Sequence, residues 1–361
     1  MSSQQAASAG AHGRHPTLSA GERWLKKGGL RLLGYLVAAF LVIKLIPSLE
    51  EALADLERPS WPWLLAVFGL EIVSEMGFVV SWHAVVDPGS RLGRAAGMRR
   101  VDMRLAWAQL GAGMFVPGGS LSSVGAGTWL LHRLGMPIKE IAERQFNLSF
   151  LNTAVDAIVL VAFGLALWTG ILHGATNPLL TVLPALLAAG GVAGALAVAG
   201  AARRRVGRRR PAHKRIAVAV ATLAKAVDDT ARLLVHRSGL RAVMGAVAYL
   251  FFDVLVLYTA FHAIHAHHVP TFGVIVMAYI IGALGGSVPL PASIGTVGGM
   301  VGMLILYGVH RDTAVAAVVL YQAVGLLVPL VGGALAYLLL RSELRSDDTS
   351  PALGRVDAAG D

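Results

Sequence analysis

The chain contains no cysteine. That excludes disulfides, haem-thiolate ligation, iron–sulfur clusters and cysteine-zinc sites, and it fixes no redox compartment. Charge is scarce as well: only 14% of the 361 residues are Asp, Glu, Lys or Arg, against about 25% in ordinary soluble domains. The motifs G-x-x-x-x-G-K-[ST], H-E-x-x-H and G-x-S-x-G are absent, which argues against a P-loop ATPase, a zincin or a serine hydrolase. No cofactor is implied.

Apolar residues make up 55% of the chain, and its mean hydropathy is +0.64. Several apolar runs reach the ~20 residues that span a bilayer, so the sequence specifies an all-α, polytopic membrane protein. The net charge of +10 does not indicate nucleic acid. The basic residues sit in short loops beside apolar runs, the positive-inside pattern of a multi-pass protein.

In chain order, residues 1–28 are expected to be a disordered cytoplasmic tail. A first span follows at Leu30–Ile46, then an acidic outer loop with Glu50, Glu51, Asp55 and Glu57. Trp61 and Trp63 anchor the second span, Trp61–Val86, and Trp82 and His83 read as anchors at its inner end. The inner loop 87–104 carries five arginines, and a broken segment runs from Leu105 to Leu131. Further spans are expected at Asn147–Ile171, Leu179–Ala202, Ala242–Ile264 and Asp312–Leu340, with a second broken segment at Thr271–Val309. Residues 203–240 hold a run of six arginines and then an amphipathic pattern that suits the cytoplasmic interface or a packed connector. Residues 341–361 form a tail, and both termini are expected in the cytoplasm of a bacterial inner-membrane protein.

The two broken segments organise the reading. The first is interrupted by Pro117, Gly118, Gly119, Ser120, Ser123 and Gly125, the second by Pro289, Pro291, Ser293, Gly295, Thr296 and Gly298. Prolines and glycines there should end a helix, and each flanking half, at about a dozen residues or roughly 18 Å, is too short to cross alone. Loop charge makes each segment a reentrant hairpin, the first from the inside and the second from the outside. A shift of 173 residues superposes Ser120 on Ser293, Val124 on Val297, Gly125 on Gly298 and Leu131 on Leu304. The expected plan is six full spans and two hairpins in an inverted repeat: residues 29–178, then 179–340. Transporters often use this plan, with unwound backbone at the substrate site.

Few polar residues lie within the spans. Glu71 and Glu75 share one face of the second span and could share a proton or a cation. Asn147, Asn152, Asp156 and Asp253 lie in other spans. Intramembrane ionisable groups are site candidates by default; structural pairing, such as Asp253 with an arginine, is the other reading. His262, His265, His267 and His268 cluster at the outer end of a span. With no adjacent carboxylate, an exposed His-rich turn explains them better than a metal site. The hydroxyls at the breaks can satisfy freed backbone groups, or help helix N-termini hold an anionic group such as a lipid phosphate.

The segment from Pro289 to Gly333, with its Pro-x-Pro-x-x-x-Gly break and later Tyr321-Gln322 and Pro329, resembles a signature of the lysylphosphatidylglycerol synthase transmembrane-region, or flippase-like, family. The segment Pro117–Pro137, which includes Leu-His-Arg-Leu-Gly with Arg133, resembles its first signature. The resemblance implies a multi-spanning inner-membrane protein. Some family members carry a fused aminoacyl-transferase domain and translocate a modified lipid; others stand alone. Two departures stand out. Gly298 occupies a place where relatives often have a carboxylate, and Gln322 one where they often have arginine. With no aminoacyl-transferase domain, the chain is not expected to be an enzyme. The leading expectation is a translocase of a lipid or lipid-linked glycan, its substrates anionic or polyprenyl-linked lipids. The alternatives are a non-transporting partner of a membrane-bound synthase, or an intramembrane enzyme using Glu71 and Glu75.

Overall fold

A computed structural model describes residues 60–88, 101–115, 127–128, 131–132, 136–174, 176–205, 237–284 and 294–347. The expected first span at 30–46, most of the amphipathic stretch 203–240 and both tails lie outside the described residues. Eight helices carry the described structure: α1 Trp61–Val86, α2 Val101–Phe115, α3 Ile138–Trp168, α4 Pro178–Arg205, α5 Arg237–Ala263, α6 Phe272–Leu284, α7 Ile294–Leu306 and α8 Arg311–Asp347. α1, α3, α5 and α8 are long and apolar enough to cross a membrane, whereas α4 contributes a shorter apolar stretch, Pro178–Gly194. The protein is therefore an all-helical integral membrane protein over its described residues.

α1 and α5 form the most extensive helix pair. They run antiparallel: the Ser60 amide donates to the Ala263 carbonyl at 3.2 Å at one end, and Ser74 Oγ donates to the Tyr249 carbonyl at 2.9 Å further along. Glycine permits this closeness. A Cβ on Gly77 would lie 2.6 Å from the Tyr249 nitrogen, and one on Gly245 would lie 2.6 Å from the Ser81 nitrogen. The two backbones touch, as small residues allow in membrane helix pairs. α2 meets α8 in the same way, with Gly111 and Gly333 face to face.

The ends of the helices identify two opposite faces of the bundle. At one end, Arg144 donates to the Val86 carbonyl, and His83 pairs with Asp102 at 3.2 Å. The end of α1 and the starts of α2 and α3 therefore lie together. Leu131 and Met136 rejoin this end, where the Met136 amide donates to the Leu131 carbonyl just before α3 begins. At the other end, Ser60 and Ala263 meet, and Thr271, eight residues beyond Ala263, packs against Gly174, whose Cβ position lies 3.0 Å from Thr271 Oγ1. Tyr307, at the close of α7, donates to the Leu180 carbonyl at 2.7 Å. Both limits of the 271–309 segment thus lie at this second end.

Within each broken segment the chain folds back on itself. Gly282 on α6 lies against Met300 on α7, where a Cβ would be 2.5 Å from the Met300 nitrogen. Gly127 lies equally tightly against the Gln109 side chain, with a Cβ position 2.6 Å from its Cδ. Residues 109 and 127 become 282 and 300 on adding the 173-residue shift read from the sequence. The same shift takes Ile138, the first residue of α3, to Arg311, the first of α8, and these two lie at opposite ends of the bundle.

Three features differ from the sequence reading. α3 begins nine residues before the expected Asn147, because charged residues 139–144 continue the helix beyond the apolar core and pair with each other: Arg144 binds Glu140 one turn back. α8 likewise runs past Leu340 to Asp347. Trp82 is not a lipid-facing anchor. It is fully buried, and its indole N–H donates to Gln109 Oε1 at 2.9 Å. Gln109 in turn exchanges amide hydrogen bonds of 3.1 and 2.8 Å with Gln145, so α1, α2 and α3 are joined by a satisfied buried network. Buried Trp N–H groups need such a partner.

Candidate functional site

Glu71 is ten residues into α1, about 15 Å from its start at 1.5 Å per residue. That is half of a ~30 Å hydrocarbon core, so Glu71 and Glu75 sit near mid-membrane. The antiparallel contact of Gly77 with Tyr249 decides what faces them. Four residues beyond Tyr249, Asp253 is level with residue 73, between the two glutamates. Asp253 interacts electrostatically with Glu71, Glu75 and Asp156. Four carboxylates from α1, α3 and α5 are therefore gathered in one region.

Three of the four are buried. Glu71, Glu75 and Asp253 are 3%, 4% and 5% exposed, and Asp156 and Asn152 are half-buried. Tyr279 of α6 donates its hydroxyl to Asp253 Oδ2. The Tyr279 ring meets that of Tyr321 on α8 edge-on, with centroids 6.0 Å apart. Asp253 is thus held by a tyrosine, not by the arginine that structural pairing from sequence supposes. Among the described residues, no Lys, Arg or His forms an ion pair with any of the four carboxylates. Glu71 Oε2, Glu75 Oε2 and Asn152 Oδ1 are buried without a hydrogen-bond partner. Like charges this close in a low-dielectric interior repel, so the cluster requires neutralisation by protons or cations.

α8 adds a second irregularity. Pro329 lies inside the helix and has no N–H for the carbonyl of Gly325 one turn back. Gly325 faces the cluster, with its Cβ position 3.6 Å from Glu71 Oε1.

Of the residues singled out from sequence, the structure brings Glu71, Glu75, Asn152, Asp156 and Asp253 into one neighbourhood. Gln322 is half-buried beside Tyr321, Gly295 and Thr296 are half-buried at the start of α7, and Gly298 is exposed with open space around it. Pro117, Gly118, Gly119, Ser120, Ser123, Gly125, Arg133, Pro289, Pro291 and Ser293 lie outside the described residues. The sequence reading did not single out Tyr279, Tyr249, Gln109 or Gln145. A polar side chain inside a strongly apolar run is the signal that marks Tyr279, Tyr249 and Gln109, whereas Gln145 sits beside the charged residues 139–144 and carries no such signal. Of the clustered histidines, His262 makes ring contacts: it stacks on Trp63 with centroids 4.6 Å apart and meets Tyr258 edge-on.

A family model described as the lysylphosphatidylglycerol synthase TM region matches residues 31–333. No curated protein matches the chain.

Proposed function

Because the chain belongs to the lysylphosphatidylglycerol synthase TM-region family, we propose that it moves a lipid across the membrane. The substrate is an anionic phospholipid or a polyprenyl-linked glycan lipid, and the membrane is the bacterial cytoplasmic one. Family membership carries an association with membrane-lipid modification or transport. The translocase reading adds one observation: the contact of residue 127 with residue 109 recurs at 300 and 282, on folded-back segments that start from opposite ends of the bundle. This supports an inverted repeat with two hairpins approaching from opposite faces. Such a plan offers equivalent entry routes from the two leaflets and a polar path between them. The headgroup enters between the hairpins, and the hydroxyls that the sequence supplies at the two breaks, those of Ser120, Ser123, Ser293 and Thr296, are the candidates to bind its phosphate.

Purified protein in liposomes tests this with a panel of fluorescently tagged phospholipids and polyprenyl-linked lipids. Transfer of at least one lipid class between leaflets, above protein-free vesicles, is the expected result. No transfer across the whole panel, together with a co-purifying synthase whose activity survives substitution of both breaks, would instead make the chain a non-transporting partner.

A further inference from the structure

We propose that Glu71, Glu75 and Asp253 form a proton-binding site at the centre of the bundle, and that a proton gradient acts there to drive the lipid movement. The coupling rests on the translocase reading; the proton site does not.

The placement comes from α1 and α5. Their crossing at Gly77 and Gly245 sets Asp253 level with the interval between Glu71 and Glu75. The unsatisfied atoms come from a separate observation: Glu71 and Glu75 are more than nine-tenths buried, and each keeps one carboxylate oxygen with no partner. An unpaired buried oxygen of this kind costs about 1–3 kcal/mol, and a bound proton or cation removes that cost. α3 presents Asp156 and Asn152, α5 presents Tyr249 beside Asp253, α6 presents Tyr279 and α8 presents Tyr321. α6 and α7 contain no Asp, Glu, Lys, Arg or His, and the charged residues of α2 and α8 lie at their ends. No basic group among these can serve as the counter-charge.

The arrangement selects a proton over a metal ion. Among the described residues, no three carboxylates or imidazoles are gathered around one point as metal ligands would be. A proton needs only one carboxylate at a time, and Glu71, Glu75 and Asp253 can pass it among themselves. The three do not have equal surroundings. The Tyr279 hydroxyl donates to Asp253, whereas Glu71 and Glu75 each keep a buried oxygen without a partner.

The site also has an outlet to motion. Glu71 lies against Gly325, one turn before Pro329, where α8 lacks a backbone hydrogen bond. An ionised Glu71 offers this weak point only acceptors, and a protonated Glu71 offers a donor. Binding and release of the proton thus changes what holds α1 to α8. Proton transfer here needs no other reactant: a carboxylate takes up H⁺ from one side of the membrane and releases it to the other.

Two measurements on the full chain decide the matter. Infrared spectra of purified protein should show the C=O stretch of a protonated carboxylic acid above about pH 6, where exposed carboxylates have lost their protons. The Glu71→Gln, Glu75→Gln double variant should lose most of that band. In liposomes carrying fluorescent phosphatidylglycerol, with the membrane potential clamped, a one-unit pH gradient should shift the steady-state leaflet ratio about tenfold per coupled proton. The double variant should give the same ratio with and without the gradient. A band that is absent, or unchanged in the variant, overturns the proton site. Lipid transfer that ignores the gradient in the unmodified protein overturns the coupling and leaves the translocase intact. If no lipid moves at all, translocase and coupling fall together, and the infrared band still decides whether the site binds a proton.

Discussion

A Gly77→Leu chain is expected not to accumulate as folded protein. Even a single carbon at this position would stand 2.6 Å from the Tyr249 nitrogen and 2.9 Å from the Gly245 carbonyl oxygen. Both are backbone atoms of α5, so no side-chain rotation relieves the overlap. Ordinary overpacking costs about 1–3 kcal/mol; forcing apart the two central helices should cost more, because the acid cluster depends on their contact. Gly69 supplies the control. It lies on the same helix with nothing within 4 Å of its Cβ position, so Gly69→Leu should fold, aided by the better helix propensity of leucine. Detergent-solubilised yield and monodispersity on size exclusion check both. Equal yields from the two variants would mean that the Gly77–Gly245 contact does not hold α1 to α5.

Asp253→Ala is expected to lower the melting temperature of the purified protein sharply, and Asp253→Asn to lower it far less. Alanine leaves the Tyr279 hydroxyl, from a further helix, without its acceptor. A buried donor left unsatisfied costs about 1–3 kcal/mol. Asparagine keeps an acceptor oxygen in place and removes a charge from among like charges. The Glu71→Gln, Glu75→Gln double variant should melt at or above the unmodified temperature, since it replaces two ionisable groups that have no counter-ion with neutral ones. A series of thermal denaturation curves gives the order. If Asp253→Ala melts with the unmodified protein, the Tyr279–Asp253 bond does not join α5 to α6.

Much of this architecture was legible in the sequence, and the exceptions have physical reasons. The limits of α1 were readable residue for residue, because Trp61-Pro62 opens the apolar run and Asp87-Pro88 closes it. The start of α3 was not, since hydropathy marks the lipid-buried part of a helix, and Glu140 and Arg144 extend it by pairing along its surface. Glu71 and Glu75 announced a shared face through their spacing. That Asp253 joins them depends on where two glycines let α1 and α5 cross, a tertiary fact that no local pattern contains. Trp82 misled for a similar reason: tryptophan near a span's end suits the interface, and only the packing of Gln109 shows that it points inward. The 173-residue shift was visible as matched small residues. Its recurrence in the 109–127 and 282–300 contacts gives those matches a spatial meaning.

The opposed arrangement of the two halves is the centre of the account, and the absence of native cysteine makes it directly measurable. Ile138 and Arg311 are equivalent under the 173-residue shift and open α3 and α8. Single cysteines at each position can be labelled with a membrane-impermeant maleimide in intact cells and after permeabilisation. Position 311 should react from outside in intact cells and position 138 only once the membrane is opened. Labelling of both from the same side would contradict the opposed arrangement.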